Sequence, residues 1–310
     1  MLRRGLGSVM IMLVALCWGL NWPAVRTALN EIPPWTLRAI GMGAGALFLL
    51  ALARLTGKRC LMVRNEWLPV LGSGFLSITV FNLLLSFAQL AAPTSRAVIV
   101  TFTMPIWTII FAWLLLGERL DRRRWIGLTV GSLGLVCLGW PLIQNRTFNY
   151  GLVLALLAGM SWALGTVIIK RFPVAAPPIT ITLWQLIAGA LVATIGVVLF
   201  EPQVLRDGLG LAGWHLSTWV GLSYHILFSQ ALAYLLWYWL LARIPAGTAA
   251  LALLLVPAIG VISSILLLSE RPTTADVLGL LLMTVAAAVV MVPATRVVPH
   301  KASAQATGKV

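Results

Sequence analysis

The sequence predicts an all-α membrane protein in which ten transmembrane helices form two five-helix repeats of inverted topology. Three observations carry that expectation. The 310 residues are 60% hydrophobic and only 10% charged, with a mean hydropathy of +0.98; soluble domains hold roughly 45–50% apolar and about 25% charged residues. Ten apolar runs approach the roughly 20 residues that a membrane helix needs. Finally, the phrase "LLLGER" at 114–119 returns as "LLLSER" at 266–271, the first sign of an internal repeat.

Charged residues or Pro/Gly breaks bound the runs, which lie near 8–29, 35–54, 67–90, 96–116, 125–143, 150–170, 178–200, 216–241, 247–268 and 275–294. The first follows Arg3 and Arg4 like a signal peptide. However, "LVALCWGLNWPAV" offers no small-x-small cleavage site, so it reads as a retained span. With the N-terminus in the cytoplasm, 16 Lys/Arg residues fall on inner ends and loops. The outside keeps six: Arg26, Arg38, Arg96, Arg146, Arg206 and Arg271. That bias places both termini inside. It also gives the net charge of +14 a meaning other than nucleic-acid binding, because the basic residues sit in short clusters between apolar runs.

The second half repeats the first. An offset of 144 carries Trp18 onto Trp162, Arg26 onto Lys170 and Pro33-Pro34 onto Pro177-Pro178. Beyond the long loop at 201–215 the offset becomes 152. It then carries Pro93 onto Pro245, Pro105 onto Pro257, Glu118-Arg119 onto Glu270-Arg271 and Gly127 onto Gly279. Five spans per repeat reverse the chain direction, so the halves are expected to lie oppositely in the membrane. The division falls at 1–145 and 146–294, with a disordered cytoplasmic tail at 295–310. Inverted repeats are a mark of secondary transporters, which bind cargo between the two halves and alternate access to it. The repeated Glu-Arg pair reads as a helix end, where Arg favours the carbonyl end of the dipole and Glu pairs with Arg or with the start of the next span.

Ten spans in two repeats, the early "CWGLNWPAV" and "P(x)11-[GS]-E-R" closing spans four and nine together resemble the drug/metabolite transporter superfamily of the EamA type. The resemblance covers roughly residues 8–294, and the tryptophan richness is most similar to the aromatic amino-acid exporters. It implies a multi-pass protein of the bacterial cytoplasmic membrane. By this resemblance the protein exports amino acids, aromatic or hydrophobic, or similar small metabolites. The alternative within the superfamily is a multidrug, nucleotide-derivative or sugar-phosphate carrier.

Polar residues inside spans are costly unless they face a cavity or one another, so they mark candidate binding residues. In span one Trp18, Asn21 and Trp22 share a helix face, and Pro23 after them removes a backbone donor; Asn21 meets either cargo or a neighbouring helix. Span three carries Thr79, Asn82, Ser86 and Gln89 as one stripe, again either lining or interhelical bonding. Spans six, seven and eight add Trp162 and Thr166, Trp184 and Gln185, and Gln230 and Tyr234. Trp237 and Trp239 are as consistent with the headgroup belt as with a pocket. His225 reads as a hydrogen-bonded structural histidine.

All eight acids lie near span ends or in loops, and no basic residue is expected mid-membrane, since Arg26 and Lys170 can snorkel. A neutral cavity with aromatic walls and a few amide or hydroxyl groups remains, suited to an apolar body with a small zwitterionic head. Cys17, Cys60 and Cys137 lack metal or disulfide spacing, and no phosphate-binding loop or catalytic motif is present. The expected partners are a small-molecule substrate and membrane lipid, for a monomeric protein without cofactor, metal or enzymatic activity. A membrane enzyme should show paired acids or Ser/His groups at depth, and a receptor should carry a soluble output domain.

Overall fold

The protein is described here by a computed structural model, which describes residues 4–144, 150–268 and 274–291. These residues form helices joined by short loops. We number the ten long elements in chain order. α1 runs in two segments, Arg4–Gly19 and Asn21–Ala28; α2 is Pro34–Leu55 and α3 Arg64–Ala91. α4 is split into Thr94–Thr101 and Met104–Leu116, and α5 is Arg122–Gln144. α6 is Tyr150–Arg171, α7 Pro178–Phe200 and α8 Leu216–Leu241. α9 is split into Ala246–Ala252 and Leu255–Leu267, and α10 is Thr274–Met291. Eight of these are long and apolar enough to cross a membrane, and shorter apolar stretches, Trp125–Cys137 and Val277–Ala286, occupy α5 and α10.

Local chemistry explains most breaks. Both α4 and α9 interrupt just before a repeated proline, Pro105 or Pro257, because proline cannot donate the helical hydrogen bond and crowds the turn before it. α1 breaks at Leu20, three residues ahead of Pro23. α6, with Val167 at the corresponding position, runs unbroken. The "LLLGER" stop is a glycine effect: Gly117 takes φ 68°, a left-handed conformation that glycine adopts without a Cβ penalty. Glu118 then accepts a hydrogen bond from the Ala246 amide at 3.1 Å, at the start of α9. Its counterpart Glu270-Arg271 lies outside the described residues, as does the tail at 295–310.

Packing follows the repeat. α2 lies along α7 and α5 along α10, while α1 packs on α8 and α9 just as α6 packs on α3 and α4. Each pairing maps onto itself or its mate when the two halves are exchanged. α3 and α8 each contain a π-helical segment, Phe75–Val80 and His225–Ala233, a feature that recurs at functional sites. At the two ends, glutamates tie the halves together. Glu201, after α7, accepts from the Trp35 and Thr36 amides that begin α2, at 2.9 and 2.8 Å. Glu66 accepts from the Ala175 and Ala176 amides ahead of α7, at 2.7 and 2.8 Å.

Candidate substrate cavity

The break in α1 places Trp18 at the end of one segment and Asn21 and Trp22 at the start of the next. These three border a cavity between the repeats whose lining also includes Arg38, Phe81, Asn82, Gln89, Phe102, Trp162, Ser229 and Tyr234. Its aromatic wall has two groups of rings. Trp18 packs edge-on to Trp162 at 6.4 Å between centroids and to Tyr234 at 5.2 Å, and Trp237 closes against both tryptophans at 5.8 and 4.9 Å. Trp22 contacts Phe102 at 6.3 Å. Trp18 and Trp162 are repeat counterparts, so the wall lies where the halves face each other.

One side of the cavity is polar. Arg38, one turn into α2 and 1% exposed, donates from Nε to Ser86 Oγ at 2.7 Å. Its Nη1 meets Asn82 Oδ1 at 3.0 Å and His225 Nε2 at 3.1 Å. Gln230 Nε2 reaches the same two acceptors, both at 3.2 Å. With Nε2 accepting, the His225 proton belongs on Nδ1, which faces Asn21 Oδ1 at 2.8 Å. Asn82 Nδ2 donates to Tyr234 Oη at 3.1 Å across a separation of 152 residues, the offset of the repeat itself. Gly41 permits this arrangement, since a Cβ there would lie 2.7 Å from His225 Cδ2.

The expected residues therefore divide. Trp18, Asn21, Trp22, Asn82, Gln89, Trp162 and Tyr234 line the cavity, and Ser86 and Gln230 stand behind it in the Arg38 network. Thr166 is buried with its hydroxyl unpartnered. Trp184 and Gln185 are elsewhere. Trp184 donates to Cys60 O at 2.7 Å and packs on Trp67, while Gln185 donates to Val70 O and Ser73 Oγ. Gln89, which donates to Trp22 O at 3.1 Å, also lines a second depression with Arg26, Asn30 and Pro93. It stands between the cavity and the end of the bundle where α1 stops and α2 starts.

Two expectations need correction. Arg38 is no exposed loop cation but a buried one on the cavity wall, so the site is not neutral. Its depth was hidden because it sits only four residues past Pro34, where hydropathy alone reads a helix end. The polar stripe Asn82–Ser86 was the available signal, since those residues are the acceptors that Arg38 uses. Trp237, 1% exposed, is an interior residue packed on Trp18 and Trp162, whereas Trp239 carries Arg243 over its ring at 3.9 Å. Phe102 was missed because nothing but its place before the Pro105 break distinguishes it. Among the described residues, no carboxylate borders the cavity.

Comparison with known proteins agrees with this architecture. The EamA-like transporter family matches twice, over residues 5–140 and 149–292. A "Probable amino-acid metabolite efflux pump" of Escherichia coli K12 is 28% identical, covering 89% of this chain and 91% of its own. The "Uncharacterized transporter YvbV" of Bacillus subtilis strain 168 is also 28% identical, over 89% of this chain and 88% of its own. A solved crystal structure superposes with a TM-score of 0.72 at 20% identity, covering 91% of this chain and 95% of that one, a likeness of fold. With both halves of the chain matched, the protein belongs to the EamA-like transporter family and is a ten-helix membrane transporter.

Proposed function

We propose that the protein is a secondary exporter of amino acids with aromatic or large apolar side chains, or of similar small metabolites. It works in the bacterial cytoplasmic membrane by alternating access between repeats 1–145 and 146–294, with both termini in the cytoplasm. It acts as a monomer, without cofactor, and performs no covalent chemistry. The observation that carries this reading is the cavity wall of Trp18, Trp22, Phe102, Trp162 and Tyr234 between the halves. Such rings favour a flat apolar body, each good ring contact contributing about 0.5–1.5 kcal/mol beyond area burial. The exchange symmetry of the packing supports the alternation, since related halves can take each other's role. The family's efflux-pump member named above supports the amino-acid class.

Export is tested by loading cells that overproduce the protein with labelled phenylalanine and following its release against empty-vector cells. Faster release is expected, and Trp18→Ala, at a half-buried position, should slow it about tenfold, the worth of one good ring contact to the cargo. Release no faster than from empty cells would reject the aromatic assignment. Counter-flow in proteoliposomes, with and without a pH gradient, separates exchange from proton-driven export.

A further inference from the structure

We propose that Arg38 is the anion receptor of the cavity and holds the carboxylate of the transported molecule. The inference rests on the reading above and names the group that the site grips.

A guanidinium presents five N–H donors. Nε and Nη1 use three of them, on Ser86, Asn82 and His225. The pair on Nη2 meets no acceptor among the described residues, and Arg38 borders the cavity. Every partner it does have is a neutral side chain: a hydroxyl, an amide and an imidazole whose Nε2 must accept. No carboxylate among the described residues pairs with it. A charge buried this deeply without a counter-ion is costly. A basic group held inside a membrane protein in this way marks a ligand pathway. Both free N–H groups sit on Nη2, so a carboxylate in the cavity can accept a charge-assisted hydrogen bond from this nitrogen, about twice as strong as a neutral one.

The surroundings leave Nη2 unpaired rather than quench it. His225 and Gln230 both come from the π-helical segment of α8, and Gly41 lets the imidazole approach α2 closely enough to accept from Nη1. Asn82, bonded to Tyr234, fixes the other side. The aromatic wall begins at Trp18 and Trp22, on the same cavity. A molecule whose carboxylate meets Arg38 would therefore lay its apolar part against those rings. Among the described residues Arg38 is the only charged group in the wall, which makes the carboxylate, more than the side chain, the common feature of what the cavity accepts.

The test is competition against labelled phenylalanine on the purified protein, using phenylalanine, phenylacetate, phenylalaninamide and phenyl phosphate. Phenylalanine and phenylacetate should compete, while the amide, which lacks the carboxylate, binds at least tenfold more weakly. Arg38→Gln should lose phenylalanine at least tenfold and bind acid and amide alike. Asn82→Asp, which keeps the side chain's shape, places a carboxylate against Nη1. It should weaken phenylalanine by a similar factor if Arg38→Gln proves unstable. Equal binding of acid and amide to the unaltered protein overturns the proposal while leaving the aromatic reading intact. Binding of phenyl phosphate but not of the carboxylates overturns it in favour of a phosphate site, and binding of no carboxylate at all overturns it outright. With labelled leucine as the probe instead, leucine discriminated from leucinamide in an Arg38-dependent way, with no aromatic ligand bound, keeps the anion site and removes the aromatic one.

Discussion

The molecule contains the same junction twice, and the two copies have been filled with different chemistry. At one, α2 of the first half meets α8 of the second; at the other, α7 of the second half meets α3 of the first. Gly41 and Gln185 are counterparts at an offset of 144, and Ser73 and His225 at 152. In the first junction the small residue is on α2 and His225 fills the space. In the second, Gln185 on α7 fills it, and a Cβ on Gly74 would come within 2.4 Å of its Cγ. The steric solution is the same with the large partner exchanged. The electrical content is not: Arg38 occupies the first junction, and its counterpart Thr182 merely bonds back to Pro178 O at 2.9 Å. The second junction's polar groups bond among themselves, as Ser77 does with Ser73 O and Tyr238. Symmetry thus supplies the frame, and its violation at Arg38 supplies the cavity's charge.

Substituting the unequal pair should break the comparison most visibly. Arg38→Gln is expected to reduce transport at least tenfold, and Thr182→Val, equally buried, less than about twofold, a ratio read from initial release rates. Comparable losses in both would mean that the two junctions contribute alike. Next come the glycines. Gly41→Ala and Gly74→Ala each overpack a junction and should cost about 1–3 kcal/mol by thermal unfolding in detergent. Only Gly41→Ala, by displacing His225, should also erase the preference for acid over amide.

The glutamate ties give a smaller effect and test the frame alone. Glu201→Gln removes the charge that receives the Trp35 and Thr36 amides, and Glu66→Gln does the same to Ala175 and Ala176. Each should cost about 0.5–2 kcal/mol, in the range of a lost helix cap, without altering ligand preference. The smallest effect belongs to Glu31, in the loop between α1 and α2. Hydrogen bonds from Thr218 and then His215 hold its carboxyl below the usual range. A carboxyl lowered on folding contributes stability that is present above its unfolded value and fades as the pH falls through the folded one. Acid should therefore narrow the difference between the unaltered protein and Glu31→Gln in unfolding temperature; a difference that stays constant through the acidic range removes this role.

Much of the frame was legible from residues alone. Pro105 and Pro257 announce the breaks in α4 and α9, Trp18 and Trp162 announce the facing aromatic wall, and Gly117 announces the end of α4. Each acts locally, through a missing amide, a helical spacing or a left-handed turn. Trp184 and Gln185 show where that reasoning stops. Both are polar or aromatic groups inside a span, yet they bond to Cys60 O and Val70 O and not to the cavity. Position within a span says that such a group needs a partner, never which one.

The sequence by itself determined that this chain is a bundle of apolar helices written twice, because hydrophobic length and repeated prolines and glycines act through the backbone of one segment. Only the tertiary structure decided that Arg38 turns inward onto Asn82, Ser86 and His225, residues 44, 48 and 187 positions away. Whether a charge is exposed or buried depends on what surrounds it in space, and that is set when the second half of the chain closes on the first.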